Sequence, residues 1–168
     1  METLDDFYHA AQAKLNEFDS AILSYGLEGQ AQADHICYKC ESSHSFERVR
    51  RLFEPHSAFI YQSMIAGRRI ALIGLSRPLA SSLGAIQLLE LSDQKPDNSQ
   101  REGFDHVEVY PIKQTYLAIV QHLQDQGLNV KEVSRPHHTT HDIKLEKSML
   151  LRLTHEPLLD KVKREEIS

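Results

Sequence analysis

Cysteine is scarce in this chain: only Cys37 and Cys40 occur in 168 residues. Two thiols so close in sequence cannot build the disulfide framework of a small secreted domain. Three positions apart on a strand, they face opposite sides, which argues against a redox pair or a shared zinc. Positive charge is also in short supply. With 19 Lys and Arg against 24 Asp and Glu, the formal net charge is −5. No global field then attracts nucleic acid or an anionic membrane, and neither is expected as a partner. No apolar run approaches the length that crosses a bilayer. The opening Met1-Glu2-Thr3-Leu4-Asp5-Asp6 is acidic where a secretory signal is basic and then apolar, so a cytoplasmic location is expected. What the chain does have is histidine, ten residues of it, which directs attention to metal or acid–base chemistry.

The length suits one domain, or one domain assembled from two short repeats. From Leu4 to Tyr25 the larger apolar residues recur at steps of three and four, the stripe of an amphipathic helix that stops near Gly26. Asp34 to Cys40 reads as a strand. Ser42-Ser43 can cap a helix with Phe46, Val49 and Phe53 on its apolar face. Two apolar runs between Phe59 and Leu75 flank Ala66-Gly67, a hairpin signal. Ala85 to Leu91 is a fourth strand, and the polar stretch from Ser92 to Gly103 reads as a linker.

After the linker the order repeats. Phe104 to Tyr110 is a strand, a helix follows with Tyr116, Ile119, Val120 and Leu123 on its buried side, and Leu128–Val133, His141–Leu145 and Met149–Thr154 are three more strands. Pro157 is placed to open a closing helix. The expected fold is α+β. A helical extension (1–30) precedes two βαβββ modules (33–92 and 103–168), taken as antiparallel four-stranded sheets that share a cavity.

Both copies open on the same triplet type, Asp34-His35-Ile36 and Asp105-His106-Val107, at an offset of 71 residues. Strand alternation places His35, Cys37 and Lys39 on one face, and Ile36, Tyr38 and Cys40 on the other. In the fifth strand it separates His106, Glu108 and Tyr110 from Val107 and Val109. If the apolar sets face the helices, both histidines face the cavity. The ends of the fourth and eighth strands add Glu90 and His155. These four residues make a nitrogen and oxygen ligand set for a first-row divalent metal, with Zn, Fe, Mn, Ni and Co all open. Glu90 also reads as a solvated carboxylate at a strand end. Glu108 is a candidate general base, or a partner that fixes an imidazole tautomer. Arg68, beside the hairpin turn, is a candidate contact for an anionic substrate, with Cys37 and Lys39 as further cavity-facing candidates. His137, His138 and His141 form a separate cluster that suits adventitious metal.

The double βαβββ order resembles the vicinal oxygen chelate superfamily, which includes glyoxalase I and extradiol dioxygenases, and within it the YecM-like family. The resemblance rests on ADHICYKC at 33–40, Gly67-Arg68 at the turn, Leu89-Glu90-Leu91, GFDHVEVYP at 103–111 and Leu153-Thr154-His155. It implies metal ligands on the first, fourth, fifth and eighth strands, which fall on His35, Glu90, His106 and His155. At the last of these, many superfamily enzymes carry glutamate.

The resemblance implies a metal-binding enzyme, an isomerase or lyase or an oxygenase, acting on a small oxygen-bearing substrate. The alternative is a non-catalytic protein that sequesters a small molecule in the same cavity. A third reading has the amphipathic helix from Leu4 to Tyr25 docking a partner. Since one chain holds both modules, a monomer or weak homodimer is expected.

Overall fold

The computed structural model describes residues 1–136 and 138–167, with side chains through Lys163; His137 of the histidine cluster lies outside them. The elements are α1 (Leu4–Ile22), β1 (Ala31–Lys39), α2 (Ser43–Phe53), β2 (Ser57–Ile65), β3 (Arg68–Leu79), β4 (Ile86–Ser92), β5 (Gly103–Pro111), α3 (Tyr116–Asp125), β6 (Lys131–Ser134), β7 (Thr139–Ile143), β8 (Leu150–Leu153) and α4 (Leu158–Ile167). The order βαβββ thus occurs twice between α1 and α4. No helix among the described residues is long and apolar enough to cross a membrane.

Local chemistry sets the helix ends. Thr3 accepts from the Asp6 amide while the Asp6 carboxylate accepts from the Thr3 amide, a reciprocal cap that starts α1. Ser42 and Thr115 cap α2 and α3 in the same one-sided way. α1 stops at Ile22, passes through one 3-10 turn and ends on Gly26, whose φ of 71° suits glycine. Its apolar stripe, including Phe7, Ala11, Leu15, Phe18 and Ile22, is buried. Phe7 packs edge-on against Tyr38 and Phe53 at 5.4 and 5.0 Å. The apolar stripe of the helix thus covers the chain's own sheet. Fully buried phenylalanines such as Phe7, Phe18, Phe46 and Phe53 each contribute about 1.5–3 kcal/mol relative to exposure.

All eight strands form one sheet, in the order β2-β3-β4-β1-β5-β8-β7-β6. The modules join edge to edge through the antiparallel pair β1–β5, and everything else is arranged symmetrically about it. The sequence suggested antiparallel modules, but β1–β4 and β5–β8 are parallel. The α2 crossover carries β2 to the far edge, and two hairpin steps bring β4 back beside β1 in the same direction. Ile36, Tyr38, Cys40, Val107 and Val109 point into the core shared with α1, α2 and α3, as their alternation predicts.

The opposite face differs between the two halves. Over the first half, Leu158 and Leu159 of α4, with Val162, pack on Ile70, Leu72 and Leu88. The shared cavity expected from the sequence is therefore partly filled by the closing helix. The polar stretch after β4 is also tied down. Gln100 donates to the Cys40 and Asp93 carbonyls, and Glu102 accepts from the Tyr38 and Ser45 hydroxyls.

Two β-bulges interrupt the central pair. Along β1 the register steps from Ala33 opposite Val109 to His35 opposite Glu108, leaving Asp34 extra. Along β5 it steps from His106 opposite Cys37 to Phe104 opposite Tyr38, leaving Asp105 extra. A bulge re-aims consecutive side chains, and here it lets each aspartate reach the histidine that follows it.

Candidate metal centre

Two buried histidines meet on the sheet face away from α1, α2 and α3. His35 is 0% exposed and His106 2%, and their ring centroids lie 5.8 Å apart. Glu90 from β4 reaches the same point, so that one ligand-type atom from each of His35, Glu90 and His106 lies within 4.8 Å of the others. Two nitrogens each about 2.1 Å from one ion are at most about 4.2 Å apart. The observed arrangement is close to that limit.

Each imidazole is oriented from behind. His35 Nδ1 donates to Asp34 at 2.7 Å, and His106 Nδ1 donates to Asp105 at 2.7 Å. A carboxylate at Nδ1 fixes the tautomer and ring plane that leave Nε2 for a cation. Asp34 accepts in addition from the Leu158 amide at 3.1 Å, tying α4 to the site. Asp105 pairs with Lys39 Nζ at 3.1 Å.

His35 Nε2 is buried without a hydrogen-bond partner. Glu108 Oε2 lies 3.3 Å away and Glu90 Oε2 3.6 Å, near enough for attraction but not aligned. Leaving such an atom unsatisfied costs about 1–3 kcal/mol. A buried nitrogen facing two carboxylates has the donor chemistry of a cation site, so the residues fit a divalent ion.

The two histidines differ in charge preference. Burial opposes the charged form of His35, but Glu108, the bond to Asp34 and Glu90 together raise its pKa well above the ordinary histidine value. At His106 burial lowers the pKa, and nearby Arg152 adds to the effect against the bond to Asp105. Glu108 is largely but not fully buried, which alone would raise its pKa, yet the two histidines and Arg152 hold it down to about 2. It is 3.3 Å from His35 Nε2 and 3.8 Å from His106 Nε2, ionised and in reach of both.

The remaining candidates are distributed differently from the sequence expectation. His155 is not brought to this cluster: it follows β8, is exposed, and stacks on Tyr116 with centroids 3.7 Å apart. Its ring is beyond the strand end, where it no longer follows strand alternation. Cys37 faces the site from between Glu90 and His106 in register. It is fully buried, with Sγ 3.8 Å from Ser92 Oγ, so it forms floor rather than an accessible contact. Arg68 donates to Gln100 and to the Asp93 carbonyl, which makes it an anchor for the loop after β4 instead of a substrate contact. The histidine cluster also divides: His141 shares a hydrogen bond with Tyr116 at 2.6 Å, and His138 lies 2.8 Å from Lys161 Nζ.

Arg152 was missed, and it occupies the place at the second half of the site that His155 was expected to fill. Its Nη1 lies 3.3 Å from His106 Nε2, and Asp142 holds it from the other side. A sequence signal existed: Leu88-Leu89-Glu90-Leu91 on β4 is matched by Leu150-Leu151-Arg152-Leu153 on β8.

The family model described as YecM protein matches residues 1–157 of the chain. Protein YecM of Escherichia coli (strain K12) is 30% identical over 108 residues, which is 61% of this chain and 56% of that protein. The match thus spans little more than half the length of that relative. Among solved structures, the structural-genomics protein EC4020 superposes with a TM-score of 0.68 at 24% identity, covering 96% of this chain and 93% of that one; it shares the fold. The hypothetical protein BH1468 from Bacillus halodurans C-125 gives 0.49 at 14% identity, covering 75% and 94%. A mutant 4-hydroxymandelate synthase from Streptomyces coelicolor gives 0.39 at 12% identity, covering 82% and 55%.

Proposed function

Since this chain belongs to the YecM family, we propose that it is a divalent-metal-dependent enzyme of the vicinal oxygen chelate type, an isomerase or lyase or an oxygenase, acting on a small substrate with adjacent oxygens. The observation that carries this reading is the buried, unpartnered Nε2 of His35, facing Glu90 and Glu108 with His106 alongside. His35, Glu90 and His106 would hold the ion. When bound, it would supply a Lewis acid that stabilises negative charge developing on substrate oxygen.

The chain's own residues have distinct parts. Asp34 and Asp105 keep each imidazole in the tautomer that presents Nε2. Glu108, facing Nε2 of both histidines, is the candidate proton acceptor beside the cluster, and its negative charge also supports a cation there. α4 keeps water off the first half of the face by covering Ile70, Leu72 and Leu88. The two-histidine, one-carboxylate donor set suits Zn, Fe, Mn, Ni or Co without selecting among them.

Calorimetric titration of chelator-treated protein with Zn²⁺ and with Mn²⁺ tests the reading. Wild type should take up one ion per chain. Glu90→Gln should fold normally and bind about tenfold or more weakly, because an amide oxygen carries no net charge to offset the cation. Equal affinity in the two proteins would remove Glu90 from the site, and no uptake by wild type would refute the metal reading.

A further inference from the structure

The two halves of the sheet repeat each other in register, and within the site the repeat changes sign at one place. β4 runs parallel to β1 with Glu90 beside Cys37, and β8 runs parallel to β5 with Arg152 beside Glu108. Cys37 and Glu108 are 71 residues apart, the offset that relates His35 to His106. Glu90 and Arg152 are therefore equivalent positions. One half offers a carboxylate there and the other a guanidinium, which cannot ligate a cation.

Arg152 is both held and aimed. Its Nε donates to Asp142 Oδ1 at 3.0 Å and its Nη2 to Oδ2 at 3.2 Å, a bidentate pairing that fixes the guanidinium plane. This leaves Nη1, which lies 3.4 and 3.3 Å from the two ring nitrogens of His106. A second guanidinium stands behind the first. Arg135 Nη2 is 3.9 Å from the same Asp142, and Arg135 Nε donates to Thr140 at 3.1 Å. Two guanidiniums share the Asp142 carboxylate, and Glu108 stands in register beside Arg152 as a second negative charge next to the pair. The side chains of Arg135 and Arg152 keep 29% and 16% exposure, within reach of a ligand from solvent.

We propose that Arg152, backed by Arg135, is the substrate-anion residue of this site. It receives the carboxylate of a small acid whose neighbouring oxygen, a hydroxyl or keto oxygen, faces His35, Glu90 and His106. The role assigned to the neighbouring oxygen rests on the metal reading above; the carboxylate contact does not. Once His106 Nε2 is given to a cation, Nη1 loses that acceptor, and a largely desolvated donor left unpaired is costly. Beside a cation the partner that suits it is an anion. Nη1 is also the one guanidinium nitrogen that Asp142 does not engage, so a monoanionic carboxylate matches what is available.

The test uses glycolate and its neutral isostere glycolamide. Each is titrated into the Mn²⁺-treated full chain while paramagnetic broadening of its proton signals and binding heat are followed. Wild type should prefer glycolate by about tenfold or more, as expected for a charge-assisted hydrogen bond. Arg152→Gln should lose that preference and keep Mn²⁺ affinity within about threefold. Arg152→Glu, with carboxylates at both equivalent positions, should bind Mn²⁺ about tenfold or more tightly than wild type and lose glycolate.

Equal affinity of wild type for the two probes, or an unchanged preference in Arg152→Gln, overturns the proposal and leaves the metal reading standing. Loss of Mn²⁺ binding in Arg152→Gln also overturns it, by making Arg152 a structural support of the cluster. If wild type takes up no Mn²⁺, the metal reading fails separately, and the same titration by binding heat alone decides the carboxylate contact through its dependence on Arg152. Removing Arg152 strips Asp142 of its bidentate partner. Asp142→Asn/Arg152→Gln removes both members together, and the same loss of glycolate preference is expected in it.

Discussion

Asp34 and Asp105 are the two bulge residues of the facing strands β1 and β5, and each holds Nδ1 of the next histidine at 2.7 Å. Neighbouring side chains on a regular strand point to opposite faces, so the bulges are what make these contacts possible. Replacing either aspartate with alanine should weaken divalent-metal binding by about 10–100-fold, measured by calorimetry. The two variants should differ in stability. Asp34 also accepts from the Leu158 amide, so Asp34→Ala should cost about 0.5–2 kcal/mol in urea unfolding as the start of α4 loses its cap. Asp105→Ala gives up a half-exposed contact to Lys39, for which about 0–1 kcal/mol is expected. Metal affinities equal to wild type in both variants would show that neither carboxylate orients a ligand.

The β2–β3 hairpin turns through Ala66 and Gly67, with φ of 51° and 80°. Glycine adopts this region freely and alanine does not, whereas asparagine tolerates it. Ala66→Asn should therefore stabilise the protein by about 0.5–1 kcal/mol, seen as a higher urea midpoint at unchanged slope. An unchanged midpoint would mean that alanine is not strained there.

Burial, with the Glu102 carboxylate adding to it, pushes the Cys40 thiol up to about 12. The ordinary value is 9.0, so between 9.0 and about 12 the unfolded chain loses this proton and the folded one keeps it. Stability from this group is complete below the lower limit and falls as pH rises through the window. Cys40→Ala should show a shallower alkaline decline than wild type. An aromatic disulfide reagent at pH 8 should also label the native protein no faster than it unfolds. Rapid native labelling of Cys40 would contradict the burial.

Much of the fold was legible from local patterns. The apolar stripe of α1, the Ser42 cap, the Ala66-Gly67 turn and the repeat of Asp-His were readable because each depends on residues near one another in sequence. Pairing between distant strands left no such trace. The alternation of Ile36 and Tyr38 showed which face was the core, but not that β4 would lie parallel to β1, nor that a bulge would turn Asp34 toward His35.

The site divides in the same way. His35, Glu90 and His106 converge as the strand assignments implied. Arg152 is not legible in the same way, because arginine does not ligate metals and His155, three residues later, is the ligand-type side chain of that segment. Only the register of β8 against β5 shows which residue stands opposite Glu108.

The central claim is that His35 and His106 bind a metal together, and elemental analysis of untagged protein purified without chelator tests it most directly. Wild type should carry close to one divalent ion per chain, while His35→Ala and His106→Ala, each verified as folded by thermal melting, should carry little. Metal content unchanged in both variants would place the ion elsewhere and contradict the account.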